Sequence, residues 1–240
     1  MSEPYISIVI PVYNEEGILH SAIVDLRERL APLRWSYEIV LAENGSRDRT
    51  VAVASELSAK YPEVRLISTG EPNYGRALRA GILDARGELV LCDEIDLCDV
   101  DFHRQAVELL ESRIVDLVIG SKLIQGASDE RPLFRHAASI VYTGLLRSLL
   151  DFRGSDTHGL KAFRRDRVAP LVEACLTDKD VFASEFVIRA YRAGVPIHEI
   201  PIRVVEKRPP SINLFKRVPN VAKNLAKLSV AIRVGKTPKV

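Results

Sequence analysis

Two acids, Glu94 and Asp96, stand where an apolar run, Gly87-Glu88-Leu89-Val90-Leu91-Cys92, breaks into Asp93-Glu94-Ile95-Asp96-Leu97-Cys98-Asp99. A buried strand that opens onto several carboxylates at one edge is how an α/β domain presents a divalent cation to a phosphorylated ligand. Residues i and i+2 of an extended segment point the same way, so the Glu94 and Asp96 carboxylates are expected to converge on one hard, oxygen-seeking cation, with Asp93 and Asp99 as neighbours. Acids that merely cap a following helix or face solvent are the competing reading of so short a motif.

Holding such a pair in place takes a sheet, and the chain supplies its strands in order. Ile6-Ser7-Ile8-Val9-Ile10-Pro11 is a β-branched, nearly continuous apolar run, as expected of a parallel strand covered on both faces. Asn14-Glu15-Glu16-Gly17 offers a cap, and Ile18, Ala22, Leu26 and Leu30 predict a helix to Leu30. Tyr37 to Ala42 repeats the strand signal, and Glu43-Asn44-Gly45-Ser46-Arg47-Asp48 turns into a helix through Val51, Ala54, Leu57 and Ala59. Val64 to Ser68 is a third strand, Gly75 to Arg86 a third helix, the acid-ended run a fourth strand, Phe102 to Glu111 a helix and Val115 to Ser121 a fifth strand. Strands alternating with helices predict an α/β fold with a doubly wound, mostly parallel sheet, helices on both faces, and a ligand beyond the carboxyl ends of the strands. Asn14, Glu43, Asn44, Glu94 and Asp96 all fall at that edge. Beyond Ser121 the pattern loosens: a polar loop at 125–131, an apolar segment at 133–152, strands at 157–163 and 195–205, and a helix at 184–193.

The 240 residues, 47% of them apolar, suffice for a full core. Three cysteines, Cys92, Cys98 and Cys175, form no CxxC pair, which argues against a disulfide framework or a zinc site and points to the cytoplasm. The first residues lack a signal-peptide layout, and no apolar run is long enough to span a membrane. Charge is unevenly spread: residues 203–240 hold ten Lys/Arg against one acid, +9, while residues 1–202 carry 24 basic and 31 acidic groups, −7. From Leu214 onward Leu214, Val218, Val221, Leu225, Leu228 and Ile232 line one face of a basic helix, with Pro219 in its first turn. Residues 213–240 therefore read as an amphipathic tail. It is suited either to an anionic, peripheral membrane surface or to packing its stripe on the domain.

Ser7-Ile8-Val9-Ile10-Pro11-Val12-Tyr13-Asn14-Glu15-Glu16, then Glu43-Asn44-Gly45-Ser46-Arg47-Asp48-Arg49-Thr50, then the acidic stretch, resemble a family 2 glycosyltransferase of the GT-A fold over roughly residues 5 to 215. Asn73-Tyr74-Gly75-Arg76-Ala77-Leu78-Arg79, Gly120-Ser121-Lys122, Ser155-Asp156-Thr157-His158-Gly159-Leu160-Lys161 and Ile200-Pro201-Ile202 are most similar to the branch of dolichyl-phosphate mannose and polyprenyl-phosphate glucose synthases. The resemblance implies a Rossmann-like nucleotide-sugar-binding half at 1–121 and an acceptor half at 122–212. Pro11, Tyr13, Glu15, Glu43 and Asn44 would line the nucleotide pocket, Arg79 and Asp93 would support the donor, and Glu94 and Asp96 would hold Mg²⁺ or Mn²⁺ on its diphosphate. The chain departs from the family in writing Glu43-Asn44 for Asp-Asp and Glu94-Ile95-Asp96 for Asp-x-Asp.

The implied reaction is an inverting transfer of a hexose from a GDP- or UDP-sugar, with the cation as Lewis acid on the leaving diphosphate and Asp96 beside it. An acceptor hydroxyl needs a general base, an ionised acceptor phosphate does not. Glu185 lies where members that glycosylate hydroxyls carry their base; a helix-start carboxylate favoured by the dipole is its other reading. Arg131, Arg135, Lys207 and Arg208 are candidates for gripping an acceptor phosphate, Arg135 being most like the family's acceptor-side arginine, with solvated surface charge as the alternative for each. His158 is placed near donor phosphate or acceptor. The expected function is hexose transfer to a polyprenyl or dolichyl phosphate. The rivals are transfer to a glycan or other hydroxyl with Glu185 as base, and a non-catalytic nucleotide-sugar or membrane-binding module. No GxGxxG follows the first strand, which speaks against a nicotinamide enzyme, and the tail lacks the interleaved aromatics of a nucleic-acid binder.

Overall fold

The computed structural model describes residues 3–179, 181–204 and 218–238, with the side chains of 218–221 outside that set. A seven-stranded sheet forms its centre. Its strands are β1 (Ile6–Val12), β2 (Tyr37–Glu43), β3 (Val64–Ser68), β4 (Leu89–Cys92), β5 (Leu117–Ser121), β7 (Lys161–Arg164) and β8 (Ile197–Pro201), in the order β3-β2-β1-β4-β7-β5-β8. A two-stranded parallel ribbon, β6 (Ser128–Asp129) with β9 (Arg203–Val204), lies apart.

Alternation along each strand sorts side chains to two faces, and both faces are dry. Ile6, Ile8, Ile10, Ile39, Leu41, Leu89 and Leu91 pack in one cluster with α1 (Leu19–Leu30), α2 (Thr50–Lys60) and α4 (Val100–Glu111). Val9, Val40, Val90 and Cys92 pack in the other with α3 (Tyr74–Asp84), α5 (Leu133–Leu150), α6 (Arg165–Glu173), α7 (Phe182–Arg192) and α8 (Val218–Val234). Two covered faces explain why these strands read as unbroken apolar runs rather than alternating ones.

The first four strands run parallel, so their carboxyl ends share one edge. β7 runs antiparallel between β4 and β5, with Lys161 opposite Cys92 and Ile119. That reversal brings the segment before β7, residues 155–160, to the edge where β4 ends.

Four expectations change here. The acid-ended strand stops at Cys92, and residues 94–97 form a turn closed by Leu97 N–H and Cys98 N–H donating to Glu94 O at 2.9 and 3.1 Å. Glu94 and Asp96 are therefore brought together by a turn, not by extended alternation. Asn14 caps nothing, since α1 begins at Leu19; it takes a left-handed φ of 54° instead, a conformation asparagine tolerates. The segment expected as a strand from residue 157 starts only at Lys161. The last sheet strand is Ile197–Pro201, shorter than expected at both ends.

Residues 155–160 reach the edge by pressing backbone on backbone. A Cβ on Gly159 would sit 1.6 Å from Gly120 O, whereas one on Gly144, in mid-α5, would meet nothing within 4 Å. Gly159→Ala is expected to destabilise the protein by more than about 2 kcal/mol, as other forced backbone clashes do. Gly144→Ala is expected to stabilise it by about 0.5–1 kcal/mol. Chemical denaturation of the two variants checks both signs.

Candidate active site

The edge is assembled from two loops locked together. Asn14 Oδ1 accepts from Arg47 N–H at 2.9 Å and Asn14 N–H donates to Ser46 Oγ at 3.0 Å. Glu15 N–H donates to Thr50 Oγ1 at 2.7 Å, Glu16 N–H to Asp48 Oδ2 at 3.2 Å, and Arg49 N–H to Glu16 Oε2 at 2.8 Å. Residues that read in the sequence as two separate motifs are thus largely one clasp between the loops after β1 and β2.

Above the clasp lies a cleft of about 260 Å³ lined by Pro11, Val12, Tyr13, Glu15, Asn44, Tyr74, Glu94, Ile95 and Asp96. Six of the expected site residues meet there: Pro11, Tyr13, Glu15, Asn44, Glu94 and Asp96. A larger hollow of about 560 Å³, which includes Tyr5, Arg86, Glu88 and Arg165, lies at the amino ends of β1 and β4 and gathers none of them. We place the site in the smaller cleft because the acids and the nucleotide-side residues converge there.

The four carboxylates after β4 have different surroundings. Asp93 is turned inward: Oδ1 accepts from Glu94 N–H at 2.7 Å, Oδ2 from Asp99 N–H at 3.1 Å, and His103 Nε2 lies 2.6 Å from Oδ2 in an ion-pair contact without hydrogen-bond alignment. Asp99 caps α4, accepting from Phe102 N–H at 2.9 Å. Glu94 and Asp96 face the cleft. Burial, with Asp96 and Asp93 nearby and against the hydrogen bond from Tyr74, pushes the Glu94 carboxyl up to about 7.

The donor set fits a divalent cation. Burial first, and then the neighbouring Asp96 and Asp93 carboxylates, make Glu94 resist ionising, a cost that a bound cation would relieve. Among the described residues no group of three or more His, Cys, Asp or Glu side chains forms a closed cage. Two carboxylates with room for phosphate oxygens is the arrangement in which Mg²⁺-type ions are shared with a phosphorylated ligand.

Several expected site residues have other duties. Glu43 is buried with Oε2 accepting from Ser68 Oγ at 2.5 Å and Oε1 accepting from Ser46 N–H, so it ties the loop after β2 to the end of β3 and does not line the cleft. Asp93 shapes the acid turn from behind. Arg79 donates to Glu173 O at 2.7 Å and joins α3 to the end of α6, away from the cleft. Arg131 grips Asp129 through Nε and Nη2 at 2.7 and 2.6 Å, which holds the Asp129 carboxyl well below the usual range. Arg135 sits half-buried in the first turn of α5. His158 is exposed on the 155–160 segment, its ring edge-on to Tyr142 at 5.5 Å and its Nδ1 3.1 Å from Thr157 Oγ1. Lys207 and Arg208 lie outside the described residues.

Glu185 is corrected most sharply. It is wholly buried in the first turn of α7, 2.7 Å from Arg189 Nη2, and accepts from Leu176 N–H at 2.9 Å and Thr177 N–H at 2.6 Å. Arg189 in turn donates to Ala231 O at 3.1 Å and Lys236 O at 3.2 Å. This carboxylate holds the arginine that anchors the C-terminal helix and does not line the cleft.

Three residues to which the sequence assigns no role stand at the site. Tyr74 donates from its hydroxyl to Glu94 Oε1 at 2.5 Å. Lys161, whose ammonium donates to Gly159 O at 2.7 Å, is buried beside Cys92, Asp156 and Glu94, and burial holds it below the ordinary lysine value. Lys122 pairs with Asp156 at 2.5 Å, both buried. Tyr74 lies in a stretch that carries the family resemblance, but nothing there singles out its contact with Glu94; for Lys161 the signal would be a charge in a strand whose neighbours are apolar.

A family model described as glycosyl transferase family 2 matches residues 7–170. The chain is 28% identical over 220 residues to glycosyltransferase AglD of Haloferax volcanii, covering 89% of this chain but only 35% of that protein. It is 26% identical to dolichyl-phosphate beta-glucosyltransferase ALG5A of Trichomonas vaginalis and 25% identical to the Dictyostelium discoideum dolichyl-phosphate beta-glucosyltransferase, covering 96% of this chain and 75% and 76% of those proteins. In fold it resembles glucosyl-3-phosphoglycerate synthase of Mycobacterium tuberculosis, solved with Mn²⁺, UDP and glucosyl-3-phosphoglycerate, with a TM-score of 0.67 at 17% identity over 95% of this chain and 80% of that one.

The Glu94 environment has a measurable consequence. The native state keeps a proton on this group up to about pH 7, while the unfolded chain releases it near the ordinary 4.5. Native protein binds more protons than unfolded protein in that interval, so metal-free stability falls as pH rises through it. Melting temperature measured from pH 5 to 8 is expected to show that decline, and Glu94→Gln is expected to flatten it.

Proposed function

The chain belongs to glycosyl transferase family 2, and from that membership we propose that it is a metal-dependent inverting enzyme moving a hexose from a nucleoside-diphosphate sugar to a polyprenyl phosphate. A donor lying over the carboxyl edge of β1, β2 and β4 is in keeping with the rule that ligands of open α/β sheets sit beyond the carboxyl ends of the strands. The observation that carries the reading is the convergence of Glu94 and Asp96 with Asn44, Tyr13 and Glu15 in one cleft.

In this reading Asn44 and Tyr13 take the nucleoside, and Glu94 with Asp96 hold a divalent cation against the diphosphate. A bound Mg²⁺ or Mn²⁺ supplies Lewis-acid neutralisation of the leaving group's charge. Pro11, Val12 and Ile95 form the apolar side of the cleft, where lowered dielectric strengthens every charge interaction. The buried Lys161 ammonium beneath the acid turn adds fixed positive charge on the donor side.

Two observations support a phosphate acceptor over a hydroxyl. With Glu185 locked to Arg189, the residue expected as base is absent from the site, and an ionised phosphate needs none. The two relatives named as dolichyl-phosphate beta-glucosyltransferases act on an acceptor of that class.

A membrane surface is the partner such an acceptor brings. The expected route through the tail is narrowed, because α8 buries Leu225, Leu228 and Ile232 on the domain and exposes Lys223, Lys227 and Arg233. The outer face of α5 suits a bilayer better: Leu133, Phe134, Ile140, Val141 and Leu149 are 49% exposed or more. Neither α5 nor α8 contains an acid, and Arg135 and Arg147 flank the apolar face. Apolar side chains rimmed by cations are the composition of an interfacial helix on anionic lipid. No described helix is long and apolar enough to cross a membrane.

Transfer from UDP- and GDP-sugars to a short polyprenyl phosphate with Mn²⁺ tests the reading, and Asp96→Ala is expected to lower turnover by about 10²-fold or more through loss of a cation ligand. Undiminished metal-dependent transfer by that variant would overturn it. Sedimentation with phosphatidylglycerol vesicles tests the membrane partner: Val141→Glu is expected to weaken binding while leaving transfer to a water-soluble acceptor unchanged.

A further inference from the structure

Tyr74 opens α3, and the backbone it projects from is held on all sides. Asn73 Oδ1 accepts from Arg76 N–H at 3.0 Å and from Lys179 N–H at 2.8 Å, and Asn73 Nδ2 donates to Asp178 at 2.9 Å. Asn73 N–H also donates to Asn44 Oδ1, so the start of α3 is tied directly to the nucleotide side of the cleft. Gly75 leaves no slack, since a Cβ there would lie 2.5 Å from Lys179 O. From this fixed point the Tyr74 ring lies along the rim, 37% exposed, and its hydroxyl meets Glu94 Oε1 at 2.5 Å.

Glutamate has one more side-chain torsion than aspartate, and each unfixed torsion must be frozen before a carboxylate can hold a cation. A neutral hydroxyl bonded to one oxygen fixes those torsions without adding a competing positive charge. An aspartate at the same position would end roughly 1.5 Å short of the hydroxyl, beyond hydrogen-bond reach.

We propose that Tyr74 is a positioning residue for Glu94: its hydroxyl orients the longer acid by holding Oε1, so that the carboxylate is presented to the cation beside Asp96. Tyr74 is the outer partner that makes glutamate serviceable at a place where a shorter acid would orient itself. The inference rests on reading Glu94 and Asp96 as the cation-holding pair, and it concerns how that pair is kept in order rather than whether it exists.

Electron paramagnetic resonance of free Mn²⁺, titrated with the full chain and UDP, measures the effect without turnover. Tyr74→Phe is expected to weaken Mn²⁺ binding about tenfold, the usual scale for losing an outer partner of a metal ligand. Its metal-free affinity for UDP is expected to fall by far less than its Mn²⁺ affinity, and its far-UV circular dichroism spectrum to keep the wild-type form, a split that a merely structural role would not produce. In a Glu94→Asp background the same substitution is expected to change Mn²⁺ affinity by less than about twofold, because the two sites are no longer coupled. Unchanged Mn²⁺ affinity in Tyr74→Phe, equal losses in both backgrounds, or a parallel loss of metal-free UDP binding would overturn the inference. Wild-type protein that binds UDP but takes up no Mn²⁺ would instead overturn the reading of the acid pair itself, and the positioning role with it.

Discussion

Carboxylates crowd residues 93 to 99, and the architecture around them ties two into the turn and leaves two facing the cleft. Asp93 takes the backbone N–H groups of Glu94 and Asp99 and faces the buried His103, while Asp99 caps α4. These two bind the turn to the core. Glu94 and Asp96 are thereby held at the mouth of the cleft, and burial, with repulsion from Asp96 and Asp93, makes ionising Glu94 costly. The fold depends on this division, because a turn packed with unpaired carboxylates would not otherwise stay on the end of a dry strand.

The other buried charges show the same economy. Glu38 is bonded to Ser7 and Arg65, Glu185 to Arg189, and Asp156 to Lys122. Glu38 and Asp156 join elements distant in sequence, and Glu185 holds Arg189 within α7, from where Arg189 reaches the C-terminal helix at Ala231 O. Against this background of paired charge the Glu94 and Asp96 pair stands out as chemically unfinished. In the proposed reading a divalent cation carried in with a diphosphate would complete it, which is consistent with membership of glycosyl transferase family 2.

Much of the frame was legible in the sequence for a simple reason. Strands covered on both faces leave nearly continuous apolar runs, and those of β1 and β2 are unmistakable. The edge residues were legible because they follow such runs directly. What failed was governed by partners distant in sequence or by geometry at strand ends. β4 stops at Cys92 because Asp93 caps the next turn, a switch that alternation cannot register. α6 carries Pro170 within it and offered no clean helical stripe, and α5 hid its period because its outer face is apolar too. Glu43 looked like a ligand-facing acid until Ser46 and Ser68 were brought to it by the fold. The duty of Glu185 did leave a trace, since Arg189 stands four residues later, the spacing of a helical ion pair. Tyr74 sits in a stretch that carries the family resemblance, but its contact with Glu94 is revealed only by the docking of α3 beside β4.

The central claim is that Glu94 and Asp96 together seat a divalent cation on a nucleoside diphosphate. The most direct measurement is the anomalous diffraction of crystals grown with Mn²⁺ and UDP. The account predicts one strong peak at the mouth of the cleft, within about 2.0–2.6 Å of oxygens from both carboxylates and from the diphosphate. UDP bound in the cleft with no peak there, or with the peak contacting neither Glu94 nor Asp96, would contradict it.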